Sequence, residues 1–287
     1  MKKNRLFLIS GSNGQLASEF KNILTEKGIK FVPLSKDELD ITDCDKAEET
    51  IQKIKPDVLI NCAAYNFVDK AEEDSRSAFS VNGSGVENLA IICKKQNIFM
   101  VHYSTDYVFD GKKLDFYGED DVPQPLNVYG KTKLHGEEAI KKHLVNFLIL
   151  RVSWVIGSGK QNFLYKLVQW AQQNRVLKIS ADEVSIPTFT EDIVKITLLS
   201  LEKQLRGLYH AASSGYCSRY ELAKYFIKKI GLKNLIIPVP LSTLNIKTQR
   251  PLFSAISNGK ISKDLNISIP DWEYCLERFI TGFKRLC

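Results

Sequence analysis

No apolar run in this chain of 287 residues approaches the roughly 18 needed to cross a bilayer, so no membrane span is expected. Lys2, Lys3 and Arg5 open the chain, but the apolar stretch behind them, Leu6 to Ser10, is only five residues long. A secretory signal needs about 7 to 15. That segment is therefore read as a first strand, and the protein as cytoplasmic. The six cysteines (Cys44, Cys62, Cys93, Cys217, Cys275, Cys287) are scattered, without a Cys-x-x-Cys pair or a Cys/His cluster of zinc spacing. They are expected to be reduced thiols, and no metal is expected. The net charge of +7 is spread along the chain with no basic tail, so nucleic acid is not an expected partner, although an anionic small molecule would be favoured. Internal repeats and low-complexity tracts are missing too.

What is present is ordinary globular composition, 44% hydrophobic and 25% charged, in a chain longer than the usual domain of about 100 to 200 residues. Short apolar runs recur at Leu6 to Ile9, Lys30 to Leu34, Val58 to Asn61, Phe99 to Tyr103, Phe147 to Arg151 and Leu208 to His210. Helical patterns separate them. Continuous apolar strands alternating with helices predict an α/β protein, a Rossmann-like doubly wound parallel sheet covered on both faces. Residues 1–154 are expected to form a dinucleotide-binding domain to which 184–212 returns. Residues 155–183 and 213–287 are expected to form a smaller mixed C-terminal substrate lobe, with helices at Ser218 to Ile230 and Asp271 to Leu286. Trp272 is read as a core anchor of that lobe.

The first strand runs into Gly11-Ser12-Asn13-Gly14-Gln15-Leu16-Ala17, ahead of a helical stretch reaching about Lys27. In a dinucleotide turn the first glycine makes the tight turn and the second lets backbone approach the pyrophosphate. The third position must be small so that helix packs on strand, and the helix N-terminus faces the phosphates. Gly11, Gly14 and Ala17 fill these places, with Asn13, Gln15 and Leu16 on the cofactor side. About 20 residues on, an NAD enzyme often carries a carboxylate for the ribose. Here Ser35 and Lys36 stand at that edge, which favours NADPH; Asp37, Glu38, Asp40 and Ile41 follow closely and keep NADH open. Small residues after the third strand, Ala63 and Ala64 with Cys62 and then Tyr65, fit close passage of a cofactor. Asn82, in a helix expected over Ser75 to Asn97, is read as a local backbone partner.

Tyr129 and Lys133 sit four apart at the start of a predicted helix beginning near Asn127, so both side chains share one face. A phenolate beside an ammonium is stabilised, which suits a proton donor. The spacing recurs at Tyr220 with Lys224 and at Tyr225 with Lys229, both read as surface pairs. Position decides between them. Tyr129 follows a strand ending in Ser104 and Thr105, hydroxyls at a carboxyl edge where open α/β sheets bind ligands. His102, in the same strand, is read as a buried histidine without a role.

The runs Asn61-Cys-Ala-Ala-Tyr65, Val68-Asp-Lys-Ala-Glu72, Tyr103-Ser-Thr-Asp-Tyr-Val-Phe-Asp-Gly111, Pro125 to Leu134 and Leu150-Arg-Val-Ser-Trp154 resemble the extended short-chain dehydrogenase/reductases. Within that superfamily they are most similar to the dTDP-4-dehydrorhamnose reductase family. The resemblance implies reduction of the C4 ketone of a dTDP-linked 6-deoxyhexulose by NADPH, giving dTDP-L-rhamnose. It gives Thr105, Tyr129 and Lys133 as the catalytic set, with Lys133 also on the cofactor ribose. Val68, Asp106, Tyr107, Val108 and Trp154 would line the sugar pocket, and a homodimer stays open. Read from its own residues, Arg250 before Pro251 could either reach the diphosphate or brace a loop as an exposed arginine. Glu183, Ser185 and Phe67 depart from the family pattern on the substrate side. The alternatives are a reductase of another 4-keto-6-deoxy nucleotide sugar, a non-catalytic NADP-binding subunit like that of methionine adenosyltransferase, and a dehydratase or epimerase, although Asp106-Tyr107 lacks the second carboxylate of the similar dehydratases.

Overall fold

Each of the six apolar runs forms a strand because both of its faces are covered. In β1 (Phe7–Ser10), Phe7 and Ile9 pack with Ala17, Phe20 and Leu24, while Leu8 packs with Leu59, Leu89 and Ile149 on the other side of the sheet. Successive side chains point to opposite faces, so a strand buried on both sides must be apolar throughout. Each such buried side chain stabilises the fold by about 1.5–3 kcal/mol. The computed structural model describes residues 5–283; Lys2, Lys3, Cys287 and the expected helix end at Leu286 lie outside them.

With β2 (Phe31–Leu34), β3 (Val58–Asn61), β4 (Phe99–Thr105), β5 (Phe147–Val152) and the strand Gly207–His210, β1 builds one parallel sheet. The spatial order is Gly207–His210, β5, β4, β3, β1, β2. The chain leaves β1 to one side for β2 and then crosses to β3 on the other, so a crevice opens beyond the carboxyl ends of β1 and β3. This is the parallel, doubly wound sheet expected from the sequence. β4 continues two residues past Tyr103 because Ser104 and Thr105 pair with Arg151 and Val152.

The expected 75–97 helix is interrupted. It runs as Ser75–Phe79, a π turn at Ser80–Ser84 and Gly85–Gln96, and the π turn holds Asn82. The lobe rests on Leu167, Phe189, Leu222, Phe226, Trp272 and Leu276, which join the helices Phe163–Gln173, Arg219–Lys229 and Trp272–Phe283. Chain crosses between the two cores repeatedly. Thr190–Glu202 lays Ile193 and Val194 against Ala17 and Phe20, and Gly259–Leu265 adds Ile261 and Leu265 to the same cluster. Among the described residues no helix is long and apolar enough to cross a membrane, and the five described cysteines are free.

Candidate functional site

The glycine turn is shaped by lack of space. Gly11 has φ +67°, and a Cβ there would meet Ala63 backbone N at 2.6 Å, so the turn after β1 is pressed directly onto the end of β3. Gly14 occupies the N-cap of α1 (Gln15–Glu26), where no side chain caps the helix and no acidic residue stands in the first turn. The first-turn N–H groups of Gln15 and Leu16 are thus left facing the crevice. Contrast α2 (Cys44–Ile54), whose Asp43 carboxylate accepts from Lys46 N. Gln15 also ties the turn to the lobe, donating through Nε2 to Val155 O at 3.1 Å. A turn with no Cβ at Gly11 or Gly14 and with uncapped N–H groups fits a dinucleotide diphosphate.

At the β2 edge, Ser35 N–H donates to Glu38 Oε2 at 2.7 Å, while Asp40 Oδ1 accepts from Thr42 N and Oγ1 at 3.0 and 2.7 Å. Both carboxylates are held below their usual range by these loop bonds, Glu38 chiefly by Ser35 and Asp40 by Thr42 against the opposing effect of its partial burial. Ile41 is buried and Lys36 is exposed, so a cofactor ribose would meet Ser35, Lys36 and Asp40 on a preformed loop. Ala63, Ala64 and Tyr65 follow the end of β3; Tyr65 is fixed because Asn82 Oδ1 accepts from its N–H at 2.8 Å and Asn82 Nδ2 donates to its carbonyl at 3.0 Å.

The helix Val128–His143 begins as expected at Asn127, whose Oδ1 accepts from Gly130 N at 2.8 Å. A Cβ at Gly130 would collide with Tyr107 O, so the helix start lies hard against the turn Asp106–Val108. That packing sets the Tyr129 ring edge-on to Tyr107, 6.0 Å between centroids. Tyr129 is partly exposed at the crevice, yet desolvation pushes its phenol up to about 12, with the Thr105 hydroxyl working the other way and the Asp106 charge reinforcing the rise. Near neutral pH it is a protonated donor.

Lys133 Nζ is hydrogen-bonded to β4 and not to Tyr129. Its side chain is 2% exposed and turns toward β4, where Nζ donates to Tyr103 O at 2.6 Å and stands 3.3 Å from His102 Nε2. Desolvation lowers it to about 8, opposed by Glu137 and Cys62. The helical spacing places the two Cβ atoms on one face as expected, but the long lysine side chain follows acceptors in the sheet, which the spacing does not reveal. Any phenolate stabilisation by Lys133 in this arrangement would act through space and not through a hydrogen bond, Nζ being engaged by Tyr103 O and His102.

On the lobe side, Asp106 is fully enclosed by hydroxyls. Ser185 Oγ and Ser254 Oγ donate to its Oδ2 at 2.8 and 2.5 Å, and Thr105 Oγ1 donates to Oδ1 at 3.2 Å. Burial raises the carboxyl to about 6 in spite of these bonds. Tyr107 donates its hydroxyl to Glu183 at 3.2 Å, and Arg219 stacks 3.5 Å over the Trp154 ring. Trp154 has φ +36°, and its Nε1 is buried without a partner. Val108 is fully buried behind Tyr107, so it backs the pocket; Val68 starts the helix Val68–Glu73 at the rim, after the exposed Phe67. Arg250 is engaged by Asp69, with two contacts of 3.0 Å, and does not stand free for a diphosphate.

Four residues escaped the sequence reading. His102 touches Lys133, and Asn82 links Tyr65 to Thr132 Oγ1 (3.0 Å) over a long sequence distance, so neither is the bystander expected. Glu137 and Arg151 form a fully buried bidentate pair at 2.8 and 2.7 Å that fixes the Tyr129 helix to β5. A charged residue four positions after Lys133 in an otherwise apolar-facing stretch was the available signal. Lys224 and Lys229 lie over Tyr220 and Tyr225 on the outer helix Arg219–Lys229, away from the crevice.

The RmlD substrate binding domain family matches residues 5–285. The dTDP-4-dehydrorhamnose reductase of Burkholderia thailandensis is 35% identical over 286 residues, 94% of this chain and 96% of that one. Spore coat polysaccharide biosynthesis protein SpsK of Bacillus subtilis is 32% identical over 280 residues, 98% of each. The crystal structure of dTDP-4-dehydrorhamnose reductase from Bacillus anthracis in complex with NADP is 30% identical, with a TM-score of 0.94 over 97% of this chain and 99% of that one. Agreement along the whole length, in sequence and in fold, makes this chain a member of the RmlD substrate binding domain family.

Proposed function

We propose that this protein is an NADPH-dependent reductase that converts the C4 ketone of dTDP-4-dehydro-L-rhamnose to the alcohol of dTDP-L-rhamnose, a nucleotide-sugar step in cell-surface polysaccharide biosynthesis. The observation that carries the reading is the pairing of a protonated phenol, Tyr129 beside Thr105, with the Cβ-free turn at Gly11 and Gly14 across one crevice. Relatives named as this reductase, one of them solved with NADP, support the choice of substrate and cofactor.

Gly11, Asn13, Gly14, Gln15 and Leu16 would hold the diphosphate, Ser35, Asp40 and Ile41 the adenosine end, and Ala63, Ala64 and Tyr65 the middle of NADPH. Bound there, the cofactor supplies the hydride. Val68, Tyr107 and Trp154 would line the sugar pocket, with the buried Asp106 and Val108 backing it and Arg250 bracing its rim through Asp69. Thr105 orients the ketone oxygen, and Tyr129 gives its phenolic proton to the alkoxide that forms. The resulting phenolate is the species Lys133 would stabilise. Residues 1–154 with 184–212 serve as the cofactor part and 155–183 with 213–287 as the substrate lobe; a cytoplasmic location and a homodimer belong to the same proposal.

Purified protein given NADPH and dTDP-4-dehydro-L-rhamnose should consume cofactor and yield dTDP-L-rhamnose in equal amounts. Parallel assays with other 4-keto-6-deoxy nucleotide sugars and with NADH grade the specificity. No turnover of any of them would remove the proposal.

A further inference from the structure

A buried chain of polar groups runs from Lys133 beneath the carboxyl ends of β4, β3 and β1 to Ser10, the residue before the glycine turn. Its hydrogen bonds can be assigned one after another. Asn61 Oδ1 accepts from Ala63 N at 3.1 Å and from Ser10 Oγ at 2.7 Å. A backbone N–H only donates, so the amide oxygen must lie on that side and Nδ2 must face His102 Nδ1, at 3.1 Å. An amide nitrogen also only donates. His102 Nδ1 therefore accepts, and a neutral imidazole then carries its proton on Nε2.

His102 is 1% exposed, and burial first, then the neighbouring Lys133, hold its pKa well below the usual value, so neutral is the relevant form. Turning the ring over would set carbon against both Asn61 and Lys133 and lose both contacts. The Nε2–H group thus points at Lys133 Nζ, 3.3 Å away. Two donors in that position repel each other. The contact becomes a hydrogen bond only when Nζ offers a lone pair, as an uncharged amine that still donates to Tyr103 O.

The other groups facing Lys133 do not restore a full counter-charge. Glu137, one turn along the same helix, is committed to Arg151 on β5. From the end of β3 comes only Cys62, whose thiol burial pushes well above its usual range, and β4 supplies Tyr103, also raised by burial. We infer that His102 is a positioning residue for Lys133: held in one tautomer by Asn61, it parks the uncharged lysine against β4, and protonation frees the ammonium to turn toward Tyr129. This rests on the reading of Lys133 as the functional lysine, and it accounts for why its Nζ is bonded to the sheet and not to the phenol.

The first test is the ring itself. In uniformly 15N-histidine-labelled protein without cofactor, long-range 1H–15N correlation near pH 8.5, with His102→Gln assigning the resonance, should show His102 as the Nε2–H tautomer. An Nδ1–H tautomer or an imidazolium would overturn the inference. The second test reverses the chain. In Asn61→Asp the carboxylate accepts from His102 Nδ1–H, so Nε2 becomes an acceptor for the ammonium. The tautomer should switch, and the alkaline limb of kcat/KM for NADPH-dependent turnover, expected near pH 8 in the parent, should rise by about one unit, a tenfold change in the proton equilibrium. An unmoved limb, or an equal rise in the Asn61→Asp/His102→Phe double variant, where only the added charge remains, would overturn it. A parent protein with no ketone reduction would instead defeat the proposed function and leave the tautomer measurement standing.

Discussion

Two buried polar clusters flank the end of β4, and they are assembled in opposite ways. The cofactor-side cluster, Ser10, Asn61, His102 and Lys133, comes from three neighbouring strands and the helix that follows them. The lobe-side cluster gathers Asp106 with Ser185 and Ser254, which lie 79 and 148 positions further along the chain. One holds a base lowered to about 8 and the other an acid raised to about 6, each moved by burial toward its uncharged form. Burial disfavours the charged form of either sign. The lesson is that the same cause, burial, brings a lysine and a carboxyl toward neutral pH from opposite sides.

Tyr129, at the join of the clusters, tests whether they act on one reaction. Tyr129→Phe should lower kcat for ketone reduction by about 10²- to 10⁴-fold while thermal unfolding hardly moves. A variant retaining full turnover would separate the two clusters from any shared proton donor. Next in size is the support behind the cofactor-side cluster. Glu137→Ala leaves Arg151 buried and unpaired, which should cost about 3–5 kcal/mol in urea unfolding.

Lys133→Met should show what the parked lysine costs the fold. The folded pKa of about 8 lies below the unfolded value near 10.5, so the folded protein binds fewer protons between those values and its stability rises with pH across that window. Below about pH 8 the full penalty applies, on the order of 3 kcal/mol, of which the lost bond to Tyr103 O would take back roughly 1. A net gain of about 2 kcal/mol at pH 7 that fades toward pH 10.5 is expected from denaturant unfolding. No gain at pH 7 would mean the lysine is well solvated or well paired, and the asymmetry between the clusters would disappear. Smallest should be Glu183→Gln on the lobe side. The amide still accepts from Tyr107 but gives up the carboxylate that stands 3.6 Å from Arg219 and 3.9 Å from Arg250, so stability should fall by about 1–2 kcal/mol, and KM for the nucleotide sugar change by less than about tenfold.

The same asymmetry governs what could be read from the sequence. The sheet was legible because Phe7 to Ile9, Val58 to Ile60 and Phe99 to Val101 are apolar without interruption, and the glycine turn because Gly11 and Gly14 stand between strand and helix. The spacing of Tyr129 and Lys133 was legible as a shared helix face. Where the lysine points was not, because it depends on Tyr103 and His102 in another element. His102 could be read as buried, but its partners follow from strand register, which aligns Asn61 with His102 only once β3 pairs with β4. Ser185 and Ser254 were out of reach for another reason: nothing local to either marks it as a ligand of a carboxylate so far away. Arg250 could be recognised as a guanidinium near the crevice, whereas its capture by Asp69 required the fold.

The π turn at Ser80–Ser84 has a consequence for how this segment can change. It holds one residue more than a regular helix would, and in an α-helix each residue advances the azimuth by about 100°. Removing a single residue there would give a smoother helix of nearly the same span, yet would rotate Ser75–Phe79 by that angle against Gly85–Gln96 and carry Asn82 off Tyr65 and Thr132. The extra residue is a phase offset between two segments that both pack on the Tyr129 helix. A one-residue deletion in the middle of this long helix should thus be tolerated less well than a substitution at any single exposed position along it.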